Sequence, residues 1–138
     1  MINKIDMKDM RHLNLFSKIT NLQTRFHFSY NDTLMFCVPK SKITQALGRD
    51  NENLRKLSGI VKKRIRVLPM PRGIEDAKTF IQQIIAPVSF KEIEITPEEI
   101  IINAGPQNKA ALLGRNKRRL LEMQQIVKDF FSLDYRVQ

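Results

Sequence analysis

Cysteine is nearly absent from this chain. Cys37 stands alone among 138 residues, which excludes an intramolecular disulfide and a cysteine-based zinc site and fits a reducing compartment. Histidine is limited to His12 and His27. Neither has a carboxylate or second histidine at metal-ligand spacing, so both read as surface or groove residues. No apolar run approaches the roughly 20 residues that a membrane span requires, and Met1 to Arg11 is charged rather than signal-like. The expectation is a soluble, cytoplasmic protein with no membrane partner. No acid cluster, histidine pair or nucleotide-binding loop supports an enzyme acting on RNA. No catalytic residue, cofactor or metal is expected.

What the chain does have is positive charge. Its 24 Lys+Arg against 14 Asp+Glu leave a net +10, and such a field concentrates polyanions. Residues 1–70 hold 14 basic and 5 acidic residues, and residues 71–138 hold 10 and 9. The near-neutral second half is uneven. Its acids collect at Glu75, Asp76, Glu92, Glu94, Glu98 and Glu99, whereas Lys109, Arg115, Lys117, Arg118 and Arg119 form an acid-free basic stretch. A phosphate site is therefore expected there. The four glutamates from Glu92 to Glu99 read as the polar side of a strand and a turn rather than as catalytic pairs.

Hydrophobic periodicity organises the chain. Met10, Leu13, Phe16 and Ile19 make a helical stripe over residues 8–20. Arg25 to Tyr30 alternates with Phe26, Phe28 and Tyr30 on one face, Asn31-Asp32 supplies turn chemistry, and Leu34 to Val38 completes a hairpin. Cys37 reads as a small residue in that second strand. Ile43, Ala46 and Leu47 precede Gly48, Leu54, Leu57 and Val61 mark another helix, and Arg64 to Val67 alternates as a strand. The order is helix, strand, strand, helix, helix, strand.

After Pro69 to Gly73 the order starts again. Ala77, Phe80, Ile81 and Ile84 predict a helix, Phe90, Ile93 and Ile95 a strand, and Ile100 to Ile102 its partner. Ala110 to Leu113 predicts a short helix, Leu120, Met123, Val127 and Phe130 a longer one, and Tyr135 to Val137 the last strand. Placing Gly48 on Gly114 gives an offset of 66 residues. Without gaps, Leu47 then meets Leu113, Arg49 meets Arg115, Leu54 meets Leu120, Val61 meets Val127 and Lys62 meets Lys128. Apolar matches between two amphipathic helices carry little weight. The shared Leu-Gly-Arg break carries more.

Two readings fit that break. In one, glycine lets a backbone approach a ligand, the free N–H groups of the next helix attract a phosphate, and Arg49 and Arg115 add charge-assisted hydrogen bonds. An apolar stripe and strand edge beside it would take a few unpaired bases. In the other, Gly48 and Gly114 are ordinary helix caps with exposed arginines. Lys62-Lys63-Arg64 with Arg66 likewise reads as a solvated helix end or as an extension of an RNA track.

The stretches Ile43-Thr44-Gln45-Ala46-Leu47-Gly48-Arg49-Asp50-Asn51-Glu52-Asn53-Leu54 and Lys109-Ala110-Ala111-Leu112-Leu113-Gly114-Arg115-Asn116-Lys117-Arg118-Arg119-Leu120, with the lead-in helix and hairpin, resemble the two KH domains of archaeal NusA-like transcription factors. The resemblance runs from about Met10 to Val137. It implies an α+β fold of two tandem type II KH domains, residues 1–70 and 71–138, each a three-stranded sheet with helices packed on one face. It also implies single-stranded RNA held at a Gly-x-x-Gly loop, and a role in transcription elongation, termination or antitermination. The RNA would be a nascent transcript or ribosomal RNA, and RNA polymerase or a ribosomal particle a further partner.

The expected RNA-binding set is Lys42, Gly48, Arg49, Asn51 and Arg55 in the first domain, and Gly114, Arg115, Asn116, Lys117 and Arg118 in the second. Both loops depart from the family pattern, having Asn51 and Lys117 in the fourth place. Asn tolerates left-handed backbone better than Lys. Asp50 repels phosphate in the first loop, or serves instead as the N-cap of the following helix. The second loop is therefore expected to grip phosphate and the first to keep shape. The competing expectation is a degenerate KH protein acting as a protein-interaction module on RNA polymerase or a ribosomal particle.

Overall fold

The computed structural model describes residues 7–138. The first six residues, with which the first expected domain and the charged N-terminal stretch begin, lie outside them. The described residues form two compact units that divide between Met70 and Pro71. The first contains α1 (Met7–Thr20), β1 (His27–Tyr30), β2 (Thr33–Val38), α2 (Ile43–Leu47), α3 (Glu52–Val61) and β3 (Arg64–Pro69). The second contains α4 (Ala77–Ile85), β4 (Glu92–Ile95), β5 (Glu99–Asn103), α5 (Pro106–Leu113), α6 (Arg118–Phe131) and β6 (Asp134–Val137). Both are α+β.

Each sheet has three strands, ordered β1-β2-β3 and β4-β5-β6. The first pair of each is an antiparallel hairpin and the last strand runs parallel to the middle one. A parallel return needs a crossover, which the helix pairs α2-α3 and α5-α6 supply. The β1-β2 turn is the two-residue Asn31-Asp32, both at positive φ (50° and 59°), the geometry that matches strand twist and favours Asn and Asp. The β4-β5 turn uses a side chain instead. Thr96 Oγ1 donates to the Glu99 carbonyl and accepts from the Glu98 and Glu99 amides.

The first core gathers Phe16, Leu34, Phe36, Val38, Ala46, Leu57 and Ile65, with the Phe16 and Phe36 rings stacked at 4.3 Å. All six β2 residues are buried, including Cys37. The second unit buries Phe80, Ile81, Ile84, Ile100, Ile102, Leu112, Met123, Ile126, Val127 and Tyr135. Phe80 packs against Phe130 at 4.8 Å between ring centres. No helix among the described residues is long and apolar enough to cross a membrane.

Two expectations need correction. His27 is not a surface residue: its side chain is 6% exposed, with Nε2 3.2 Å from Asp9 Oδ1. That separation suits an ion pair but lacks hydrogen-bond geometry, and Nδ1 also has no hydrogen-bond partner. The gapless repeat also fails at its end. Lys62 is the left-handed C-cap of α3, but Lys128 is inside α6, which runs on to a left-handed C-cap at Ser132. Helix α6 is thus one turn longer, so Lys62 corresponds to Ser132 and not to Lys128.

Candidate nucleic-acid interface

Between α2 and α3, and again between α5 and α6, the chain breaks at glycine. Gly48 has φ 75°, ψ 176°, and Gly114 has φ 74°, ψ 174°, a region essentially confined to glycine. Space is short as well. A Cβ on Gly48 would lie 2.8 Å from Asn53 Cγ, and one on Gly114 would lie 2.8 Å from Arg119 Cγ. Each glycine amide donates back to the preceding helix, Gly48 to the Thr44 carbonyl and Gly114 to the Ala110 carbonyl, both at 3.1 Å.

The next residues match equally well. Arg49 and Arg115 each open a single 3-10 turn, then Asp50 (φ 54°, ψ 35°) and Asn116 (φ 55°, ψ 29°) turn left-handed. Asn51 (φ 59°, ψ 28°) and Lys117 (φ 59°, ψ 24°) follow in the same conformation and cap α3 and α6. Asp50 is therefore not the N-cap; Asn51 holds that position and makes no capping side-chain hydrogen bond. Asp50 instead presents its carbonyl to the Arg55 guanidinium.

Asn53 and Arg119 were not anticipated as loop residues. Asn53 Nδ2 donates to the Gln45 carbonyl at 3.2 Å, and Arg119 Nη1 donates to the Ala111 carbonyl at 3.2 Å. Donors and acceptors both keep the 66-residue offset of the glycines. Each bond ties the second residue of the later helix to the earlier helix across the break. Asn53 and Arg119 are both side-chain donors at equivalent places in the sequence, but the helix-helix approach that brings them to their acceptors is not written in any local pattern.

Of the expected binding residues, Arg49 and Asn51 in the first loop and Arg115, Asn116, Lys117 and Arg118 in the second are exposed. Arg55 braces the first loop through its backbone. Lys42 stands at the N-cap of α2, the opposite end of that helix from Gly48. Electrostatics separates the loops. Helix α3 has Glu52 in its first turn, where a negative group complements the helix dipole, and Lys56 pairs with that acid at 3.3 Å. Helix α6 has no acid in its first turn and begins Lys117-Arg118-Arg119. Cations at a helix N-terminus oppose its dipole, and an anion placed there offsets both.

Among the described residues of the first unit, a cleft of about 750 Å³ is bordered by Met10, Leu13, Phe26 and Met70, and another of about 480 Å³ lies between α1 and α3. Neither is lined by residues of the Gly48 loop. Burial, aided by His27, Lys8 and Lys63 and opposed by Asp9, holds His12 below the usual histidine range.

The fold and its loops define an α+β protein of two α-β-β-α-α-β units, each with a Gly-Arg break between helices. No family model matches the chain. It is similar to a protein described as probable transcription termination protein NusA from Methanococcus vannielii, 24% identical over 115 residues. That match spans 80% of this chain and 65% of the relative's length. In fold it is similar to the crystal structure of APE1850, with a TM-score of 0.68 at 17% identity over 97% of this chain and 100% of that one.

Proposed function

We propose that the chain is a non-enzymatic, NusA-type transcription factor that binds single-stranded RNA through two type II KH domains, residues 1–70 and 71–138. The observation that carries this reading is the identical backbone path at Gly48 to Asn51 and Gly114 to Lys117. An irregular, glycine-dependent turn repeated in both halves of a +10 chain fits a shared ligand better than coincidental helix caps. Phosphates pass over the loops, and unpaired bases lie beside the helices. The second loop supplies the electrostatic grip through Arg115 and Lys117, and the first supplies shape. Tethering two weak sites raises overall affinity through effective concentration. The bound RNA is a nascent transcript or ribosomal RNA.

Fluorescence anisotropy with a short single-stranded RNA, competed by matched single-stranded DNA and by duplex RNA, tests the proposal. Salt-sensitive binding that prefers the single strand and weakens in a Gly114→Asp/Arg115→Asp double variant is expected. Binding indifferent to strandedness and to both loops would leave generic polyanion attraction and overturn it.

A further inference from the structure

The smaller cleft of the first unit lies apart from the loops. Leu15 of α1 and Ile60 and Val61 of α3 supply its apolar surface, with Arg11, His12, Asn14 and Lys18 as the rest of its lining. Among the described residues no carboxylate lines it. Arg11 and Lys18 are seven residues apart on α1, about 10 Å along one helical stripe. Ile60 is 60% exposed, a large aliphatic side chain left in water beside two cations. The surrounding field is positive as well, since His12 is influenced by Lys8 and Lys63. The nearby acid, Asp9, is drawn to His27 at 3.2 Å.

The apolar floor of this cleft, with Ile60 largely exposed, favours a protein partner over stacked bases. Single-stranded nucleic acid is held by phosphate contacts together with flat side chains on which bases stack. Here the described lining has no Phe, Tyr or Trp and offers only His12 and Arg11 as flat side chains, while its floor is the aliphatic trio Leu15, Ile60 and Val61. A groove between two helices, with aliphatic side chains flanked by cations two turns apart, instead matches an amphipathic helix that presents apolar anchors at i and i+3 or i+4 and carboxylates alongside them.

We propose that the α1-α3 cleft is a docking site for a short acidic amphipathic helix of a partner protein, its aliphatic anchors seated on Leu15, Ile60 and Val61 and its carboxylates paired with Arg11 and Lys18. The rim pairs set orientation and association rate, and the small apolar floor makes the contact transient and salt-sensitive. The site shares no residue with either loop, so the inference stands or falls separately from RNA binding.

The test is selection of a random peptide library against the nuclease-treated full chain, followed by anisotropy of the enriched peptides. The expected consensus is rich in Asp and Glu with Leu, Ile or Phe at helical spacing. Binding should fall about tenfold or more in Arg11→Glu/Lys18→Glu and in Ile60→Asp. An Arg115→Glu/Lys117→Glu variant should retain it. These altered residues are exposed, and Arg11→Ala/Lys18→Ala with Ile60→Ser give milder versions should a charge reversal perturb folding. Failure to enrich acidic-apolar peptides, or enriched peptides that bind all variants alike, would overturn the proposal. So would competition between such peptides and single-stranded RNA that disappears in Arg11→Glu/Lys18→Glu, which would make the cleft part of the RNA track.

Discussion

Asn51 and Lys117 hold the same left-handed backbone conformation, φ 59° in each with ψ 28° and 24°, at equivalent points of two loops 66 residues apart. Each is preceded by another left-handed residue, Asp50 or Asn116. Left-handed geometry costs an ordinary L-residue roughly 1–2 kcal/mol, and Asn and Asp bear it best because their short polar side chains bond locally. Three of these four positions are Asn or Asp. Lys117 is the exception, a long cation in a costly conformation at the start of a helix that already has two arginines. Conflict of that kind between residue and backbone is characteristic of functional positions.

Replacing the exception with glycine should therefore separate stability from binding. Lys117→Gly is expected to stabilise the protein by about 0.5–1 kcal/mol, the relief of left-handed strain exceeding the unfolded-state entropy that glycine adds. Asn51→Gly should change stability by less than about 0.5 kcal/mol, because Asn is already tolerated there. Urea denaturation of the two variants checks both values. A destabilised Lys117→Gly would contradict the strain argument. On the proposed reading RNA affinity should nevertheless drop in that variant, since it removes one of the two charges assigned to the phosphate grip.

Glycine is required at the break itself. Gly48→Ala and Gly114→Ala should each destabilise by about 1–3 kcal/mol from backbone conformation alone, with Gly114→Ala the worse. Both meet side-chain atoms first, at 2.8 Å, but at Gly114 a new Cβ also lies 3.0 Å from the Cβ and backbone nitrogen of Arg119, whereas at Gly48 the Asn53 backbone nitrogen is farther, at 3.2 Å. A side-chain end can swing away and a backbone cannot. Thermal melting of the two variants ranks them, and equal or negligible losses would show the breaks to be more plastic than their geometry requires.

Charge reversal should expose the inequality of the loops. Arg115→Glu/Lys117→Glu is expected to weaken single-stranded RNA binding strongly and to reduce the slope of log affinity against log salt by about 0.7 for each phosphate that is no longer neutralised. Arg49→Glu should have the smaller effect, because Asp50 and Glu52 already surround that arginine with exposed acids. Anisotropy over a salt series reads both quantities. A larger effect at Arg49 would reverse the assignment of grip and shape.

The order of elements was legible because each unit states it locally. Phe16 and its helical neighbours, the Asn31-Asp32 turn and the Leu-Gly-Arg breaks are each recognisable within a few residues. The burial of His27 was not legible from strand alternation, which set Phe26, Phe28 and Tyr30 on the favoured face. In the fold the His27 ring packs 5.7 Å from Phe36, with His12 of α1 at 6.0 Å, so the face of β1 that alternation read as polar is covered at His27, while Ser29 on that face stays exposed. The extra turn of α6 escaped because a gapless offset forces equal helix lengths. The Asp50 backbone escaped because a side chain suited to capping is equally suited to left-handed geometry. In the second loop the run of basic residues could be read directly, whereas the tie from Arg119 to Ala111 depends on a helix-helix approach that no local pattern encodes.

Burial of Cys37 has a consequence that can be measured. The thiol lies in β2 at 1% exposure, and desolvation pushes it from its ordinary value of 9.0 up to about 12. Thiolate is the reactive form, so at mildly alkaline pH a thiol reagent should label Cys37 only at the rate of unfolding or local opening, and promptly after denaturation in urea. The same shift makes stability depend on pH. Above pH 9 the unfolded chain releases this proton while the folded chain keeps it, so the unfolded state binds fewer protons and stability falls as pH rises. The contribution is complete below about pH 9 and disappears progressively toward pH 12, a window set by the two values for Cys37. Other groups contribute to alkaline unfolding, which is why the informative quantity is the difference between wild type and Cys37→Ala. The alanine variant should lose less stability over the alkaline range. Parallel pH profiles for the two proteins, or rapid labelling of the native thiol, would show that Cys37 is reached by water more readily than its packing allows.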